Sequence, residues 1–115
     1  MANTTVLRPA GKTSVIAVTA TSSTSITIND TTNDEVNFAT FLNAGTKACA
    51  ITVSSLSTAP ASVFPTAGTP GDFVLPANMT FPITLAVPTA PFQITAICGG
   101  SDTTTLYVTP VVNQN

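Results

Sequence analysis

The sequence predicts an all-β protein built as one antiparallel β-sandwich. Threonine makes up roughly a fifth of the 115 residues, and its β-branched side chain favours strands over helices. Apolar residues occur in short runs that end at Pro, Gly, Asn or Asp, and their spacing is not that of a helix. A chain of this length forms a single hydrophobic core, so we expect one domain.

Nine segments carry the strand pattern, in which apolar and hydroxyl side chains alternate. Ile26 and Ile28 thus share one face of a strand, as do Ile51 and Val53. Each strand then has one dry and one wet face, as expected for two sheets packed about 10 Å apart. The segments cover residues 14–20, 24–29, 36–42, 48–54, 62–64, 73–75, 83–87, 92–98 and 105–109.

Turn residues separate these segments. Residues 29–34 offer Asn and Asp side chains for local backbone hydrogen bonds, and Asn43 is followed closely by Gly45, which tolerates a positive φ. Two glycines, Gly99 and Gly100, stand between the last two segments. This arrangement predicts a β-hairpin over residues 92–109.

The middle of the chain is rich in proline, which cannot donate to a central strand ladder. We therefore expect a long connection at about residues 57–82 that crosses the end of the sandwich. Burial of Phe64, Phe73 and Phe81 is expected to anchor it, and it is also a candidate for carrying a partner interface. Before the first predicted strand, residues 1–12 have little to bury and form a flexible arm, which leaves residues 13–115 as the domain.

Charge limits the classes of partner. Only 7% of residues are charged, against about 25% in a typical domain. Arg8, Lys12 and Lys47 are the whole basic inventory, whereas nucleic-acid binding needs clustered basic residues. The apolar runs are far shorter than the ~20 residues that span a bilayer, and residues 14–20 fit a strand better than an export signal. We expect neither nucleic acid nor a membrane as partner.

Catalytic chemistry is not indicated. The chain has no histidine, the commonest general base and metal ligand, and a nucleophilic serine would need an activating base. Asp30, Asp34 and Glu35 are the only clustered oxygen ligands for a hard cation, and they fit a solvated turn better. We therefore expect no enzyme activity, no catalytic residue, no cofactor and no metal site.

Two cysteines, Cys49 and Cys98, occupy inner positions of different predicted strands. A disulfide between them would close a loop of about fifty residues and stabilise the fold by roughly 4 kcal/mol; two buried free thiols are the alternative. An immunoglobulin-type sandwich would have a Trp between them and a Tyr two residues before the second. The chain has no Trp, and Ala96 stands at that position, so a jelly-roll-like sandwich is favoured.

The C-terminal half carries a family resemblance. The stretch VFPTAGTPGDFVLPANM at residues 63–79, PITLAVP at 82–88 and LYVTP at 106–110 resemble small virion proteins of tailed bacteriophages known as capsid decoration, or cement, proteins. The resemblance implies a jelly-roll-like subunit without catalytic residues. Many copies of it would bind the outside of an icosahedral shell and bridge neighbouring major capsid proteins.

The resemblance also implies partners and a location. The partners would be the major capsid protein and further copies of this chain, as a homodimer or homotrimer, on the capsid exterior of a virion assembled in the bacterial cytoplasm. The arm would be ordered only on the shell, so that deleting residues 2–10 weakens binding and spares the fold. Two alternatives stay open: a head-fibre or tail protein, and an extracellular adhesive or pilus-like subunit of similar composition.

Overall fold

The computed structural model describes residues 6–30, 35–55 and 60–113, and over these ranges it contains strands and no helix. The predicted all-β fold is thereby confirmed. Eight of the nine predicted segments contain a strand. In chain order the strands are β1 (Leu7–Pro9), β2 (Ser14–Val18), β3 (Ile26–Ile28), β4 (Phe38–Asn43), β5 (Cys49–Ser55), β6 (Phe73–Leu75), β7 (Ile83–Ala86), β8 (Phe92–Cys98) and β9 (Thr104–Asn113).

The strands form two antiparallel sheets. Sheet I has the order β2-β9-β4-β7, with β1 also paired to β9, and sheet II has the order β3-β8-β5-β6. The pairs β2–β9, β3–β8, β4–β7 and β5–β6 are nested inside one another along the chain. Nested pairing of eight strands across two sheets is the jelly-roll arrangement, as the sequence predicted.

The core lies between the sheets and is built from alternate residues. Phe41 in sheet I and Phe92 in sheet II are its largest fully buried side chains. The inward faces assigned from alternation are confirmed, since Ile28 and Ile51 are buried and Ile26 packs against the same cluster. Burial of this apolar surface is the main term that holds the two sheets together.

A strand lies inside the segment that was expected to form the arm. Leu7 pairs with Asn113 and Pro9 with Val111, while the Ala10 N–H donates to the Pro110 carbonyl at 2.8 Å. Ala10 is fully buried. The sequence prediction missed this residue because it considered only large apolar side chains. Deleting residues 2–10 would remove this paired strand, so the fold is no longer expected to be spared. Residues 1–5 lie outside the described part of the chain.

The predicted hairpin over residues 92–109 is wrong. β8 belongs to sheet II and β9 to sheet I, so the turn between them carries the chain across the sandwich. The turn itself forms as expected: Gly100 has a φ of 58°, and the Asp102 N–H donates to the Gly99 carbonyl at 3.0 Å. Turn chemistry fixes the local bend, whereas the choice of sheet depends on distant strands.

The proline-rich connection differs from its prediction in two ways. Residues 62–64 form no strand, and the segment around Ser62 packs on the outer face of sheet II. Two of the three expected aromatic anchors are exposed, Phe73 by 53% and Phe81 by 79%, and Phe64 is half-buried. Phe73 lies on a three-residue edge strand, so few neighbours cover it.

A chain of hydroxyl groups attaches the connection to sheet II. The Thr95 hydroxyl donates to the Pro60 carbonyl at 3.1 Å. Because each hydroxyl has one proton, Ser62 donates to Thr95 at 2.7 Å, and Thr52 donates to Ser62 at 2.8 Å. The Ser62 N–H also donates to the Ser22 hydroxyl at 2.9 Å. These bonds attach the connection to sheet II, and of the three aromatic residues only the half-buried Phe64 is placed to contribute.

Replacing Ser62 with alanine should therefore destabilise the protein by about 1–3 kcal/mol, because Thr52 loses its acceptor and Thr95 its donor in a buried position. Urea denaturation of S62A and wild type measures the difference. Ser101→Ala, at an exposed turn position, is the matched control and should change stability by less than about 0.5 kcal/mol. Equal stability of S62A and wild type would show that the hydroxyl chain does not anchor the connection.

Candidate interaction surface

The outer face of sheet I is the candidate surface. Ile16, Phe41 and Val108 point into the core, so the residues that alternate with them along the strands point to the opposite side. We call this side the sheet I face. It is formed by outward residues of four neighbouring strands, β2, β9, β4 and β7, namely Val15, Ala17, Thr40, Leu42, Thr84, Thr105, Tyr107 and Thr109.

A row of threonines crosses the sheet I face. Thr84 is the register partner of Thr40, and Thr40 is also the partner of Thr109. Thr13 continues the row, since its hydroxyl lies 2.7 Å from the Thr109 hydroxyl. Four hydroxyl groups, each with a methyl group beside it, therefore run across three strands and the residue preceding β2.

An apolar row lies next to the threonines. Tyr107 is the register partner of both Leu42 and Val15, and Val15 is 56% exposed. Together with Pro82 and three of the threonines, Leu42 and Tyr107 line a shallow depression of about 330 Å³. A phenol and aliphatic side chains around such a depression suit contact with another protein surface.

Charge is absent from the outward positions of these four strands, which carry Thr, Tyr, Phe, Asn and aliphatic side chains. The outer face of sheet II differs because the connection packs on it through Ser62. The two outer faces looked alike in the sequence, since both are rich in threonine. The register and the position of the connection distinguish them.

A second exposed feature is the segment of residues 63–72. The Val63 N–H donates to the Asp72 carboxylate at 2.6 Å, and the Asp72 N–H donates to the Val63 carbonyl at 2.8 Å. Between these two residues, Thr66 and Thr69 form an antiparallel β-bridge. Gly68, in the turn that the bridge closes, has a φ of 80°. The residues from 63 to 72 thus form a projecting hairpin. The sequence predicted a loop here, and these hydrogen bonds give that loop an ordered hairpin structure.

The remaining candidate residues fall in different places. Cys49 and Cys98 are free, buried and directly opposite each other in the β5–β8 pairing. Burial, with a smaller contribution from Cys98, raises the pKa of Cys49 to about 12. Asp34 lies outside the described residues, and the described part of the chain groups no three His, Cys, Asp or Glu side chains around a possible metal position.

Within the described residues, no helix has the length and apolar character to cross a membrane. Comparisons with family models, curated proteins and solved structures give no match to this chain. The geometry of the sheet I face is therefore the starting point for a function.

Proposed function

We propose that this protein is a structural virion subunit that decorates an icosahedral bacteriophage capsid and stabilises it by binding across major capsid protein subunits. The sheet I face carries the proposal, because it is broad, uncharged and lined by threonine, tyrosine and aliphatic groups. Such a face can pack against a flat protein surface without desolvating charges, which would be costly.

The jelly-roll topology is compatible with this role but does not select it, since one architecture hosts many functions. The argument for this particular role comes from the shape of the sheet I face. The shallow depression on the sheet I face suits contact with a protein surface better than binding of a substrate, which usually needs a concave pocket with convergent polar groups. A surface repeated in many copies on a symmetric shell can act through modest individual contacts, because multivalent attachment strengthens the whole.

Co-sedimentation with capsids that lack the protein tests the proposal directly. We expect saturable binding at a fixed ratio to the major capsid protein. Coated shells should then withstand a higher temperature than bare shells before they release their contents. Binding that never saturates, or no binding to expanded shells, would contradict capsid decoration.

Variants test whether the sheet I face makes the contact. Thr40→Glu places a charge at the centre of the threonine row and should weaken shell binding at least 30-fold, about 2 kcal/mol, because the carboxylate becomes buried without a partner. Thr84→Glu, at a more exposed position of the same row, should have the same direction of effect with less risk to folding. Thermal melting of each free variant checks that the fold is retained.

Two further variants serve as controls for position. Thr24→Glu lies in the exposed loop between β2 and β3, and it should leave shell binding unchanged. Thr69→Glu lies on the projecting hairpin and distinguishes the two exposed features. Loss of binding in T69E with normal binding in T40E would move the contact to the hairpin and contradict the assignment to the sheet I face.

A further inference from the structure

The two cysteines lie directly opposite each other on adjacent antiparallel strands. Cys49 in β5 is the register partner of Cys98 in β8, and both side chains point into the core. Directly opposed residues of an antiparallel pair have Cα atoms about 4.5–5.5 Å apart and side chains on the same face. This separation falls within the range that a disulfide bond spans.

Both cysteines are buried, but they differ in their position relative to a surface groove. A groove of about 650 Å³ lies between the connection and the end of β8, and Cys98 lines it together with Val63, Phe64, Ile97 and Gly99. Cys49 is fully buried and does not line the groove. The groove therefore borders Cys98 and not Cys49, while the Cys98 thiol itself points inward and donates weakly to the Val18 carbonyl at 3.8 Å.

We propose that Cys49 and Cys98 form an oxidisable thiol pair that closes into an intramolecular disulfide when a low-molecular-weight disulfide enters the groove. The Cys98 thiolate attacks one sulfur of the reagent, forming a mixed disulfide and releasing the first thiolate. The Cys49 thiolate then attacks the Cys98 sulfur and releases the second. Both cysteines are oxidised, the reagent is reduced to two thiols, and the two cysteine protons end on them.

The electrostatic surroundings set the speed of this exchange. Burial raises the pKa of Cys98, and the Asp102 carboxylate adds to the effect; Asp102 itself lies 3.9 Å from the Lys47 ammonium group. Burial and Cys98 raise the pKa of Cys49. Since the thiolate is the attacking species, the reaction is slow at neutral pH and accelerates about tenfold per pH unit below these pKa values.

Intact-mass measurement on the folded wild-type protein tests the proposal. The reduced protein is incubated with oxidised glutathione at about pH 9, where the thiolate fraction is larger, then denatured and treated with iodoacetamide. We expect a monomer lighter by two hydrogen atoms that resists alkylation, and a melting temperature raised by roughly 15 °C until the disulfide is reduced. Alkylation of both cysteines, or disulfide-linked dimers, would overturn the proposal.

The order of attack has a separate test. Cys49→Ala should stop at one glutathione adduct on Cys98, whereas Cys98→Ala should react at least tenfold more slowly. Peptide mapping of the transient adduct in the wild-type protein gives the same information if either variant fails to fold. Equal modification of both cysteines, or an adduct found first on Cys49, would overturn entry through the groove.

Discussion

Phe41→Ala should lower the free energy of unfolding by about 3–5 kcal/mol, which is a large part of the 5–15 kcal/mol typical of a domain. Phe41 has no exposed surface and lies in β4, between β9 and β7. The substitution removes buried apolar surface and leaves a cavity that a close-packed core fills only partly. Urea denaturation should show a lower midpoint with an unchanged slope.

The chain offers a matched control for this substitution. Phe81 is 79% exposed, so Phe81→Ala should change the stability by less than about 0.5 kcal/mol. Both variants lose the same atoms, and the difference between them measures burial alone. A large cost for F81A would show that this ring is packed in solution, for example against another copy, and would contradict its exposed position.

Alternation predicted much of the fold because a strand buried on one face must repeat its apolar residues every second position. Eight segments and the inward faces of Ile28 and Ile51 followed from that rule. β1 was missed because it has only three residues and because the buried residue that follows it, Ala10, is small. Small residues give little signal in a pattern based on large apolar side chains.

Long-range pairing was beyond local patterns. The glycines after Cys98 correctly predicted a turn, but the strand that follows pairs with β2 and β4, which lie far away in sequence. The same limit applied to the candidate surface. Thr40, Thr84 and Thr109 come from three separate strands, and only the register shows that they form one row.

Glycine is required at position 45, but for a reason other than the one the sequence suggested. The sequence suggested a positive φ there, whereas the positive-φ glycines are Gly68 and Gly100. Glycine is needed at position 45 because a Cβ atom would lie 1.9 Å from the Thr104 hydroxyl oxygen. That hydroxyl donates to the side chain of Asn43, a fully buried polar residue.

Asn43→Leu should destabilise the protein by about 3 kcal/mol, because the Asn43 side chain makes three hydrogen bonds at the end of β4, each worth about 1 kcal/mol. Its Nδ2 donates to the Lys47 carbonyl at 2.8 Å. Its Oδ1 accepts from the Gly45 N–H at 3.3 Å and from the Thr104 hydroxyl at 2.6 Å. Leucine has a similar volume, so the loss reports the polar contacts, and urea denaturation measures it.

Asn43→Asp separates hydrogen bonding from packing through its pH dependence. Burial disfavours the charged carboxylate, so its pKa in the folded protein should lie above the unfolded value of about 4. The protonated acid can still donate to the Lys47 carbonyl, whereas the carboxylate cannot. Relative to wild type, N43D should therefore be most stable below about pH 4 and lose stability as the pH rises through the folded pKa.

Asn29→Asp, at an exposed position, is the control for the added carboxyl group and should follow the wild-type pH profile closely. The informative quantity is the difference in unfolding free energy between N43D and wild type at each pH. If this difference stays constant from acid to neutral pH, the Asn43 amide does not donate to a buried acceptor. A difference that grows toward neutral pH is the result expected for a buried side chain at position 43 that donates to the Lys47 carbonyl.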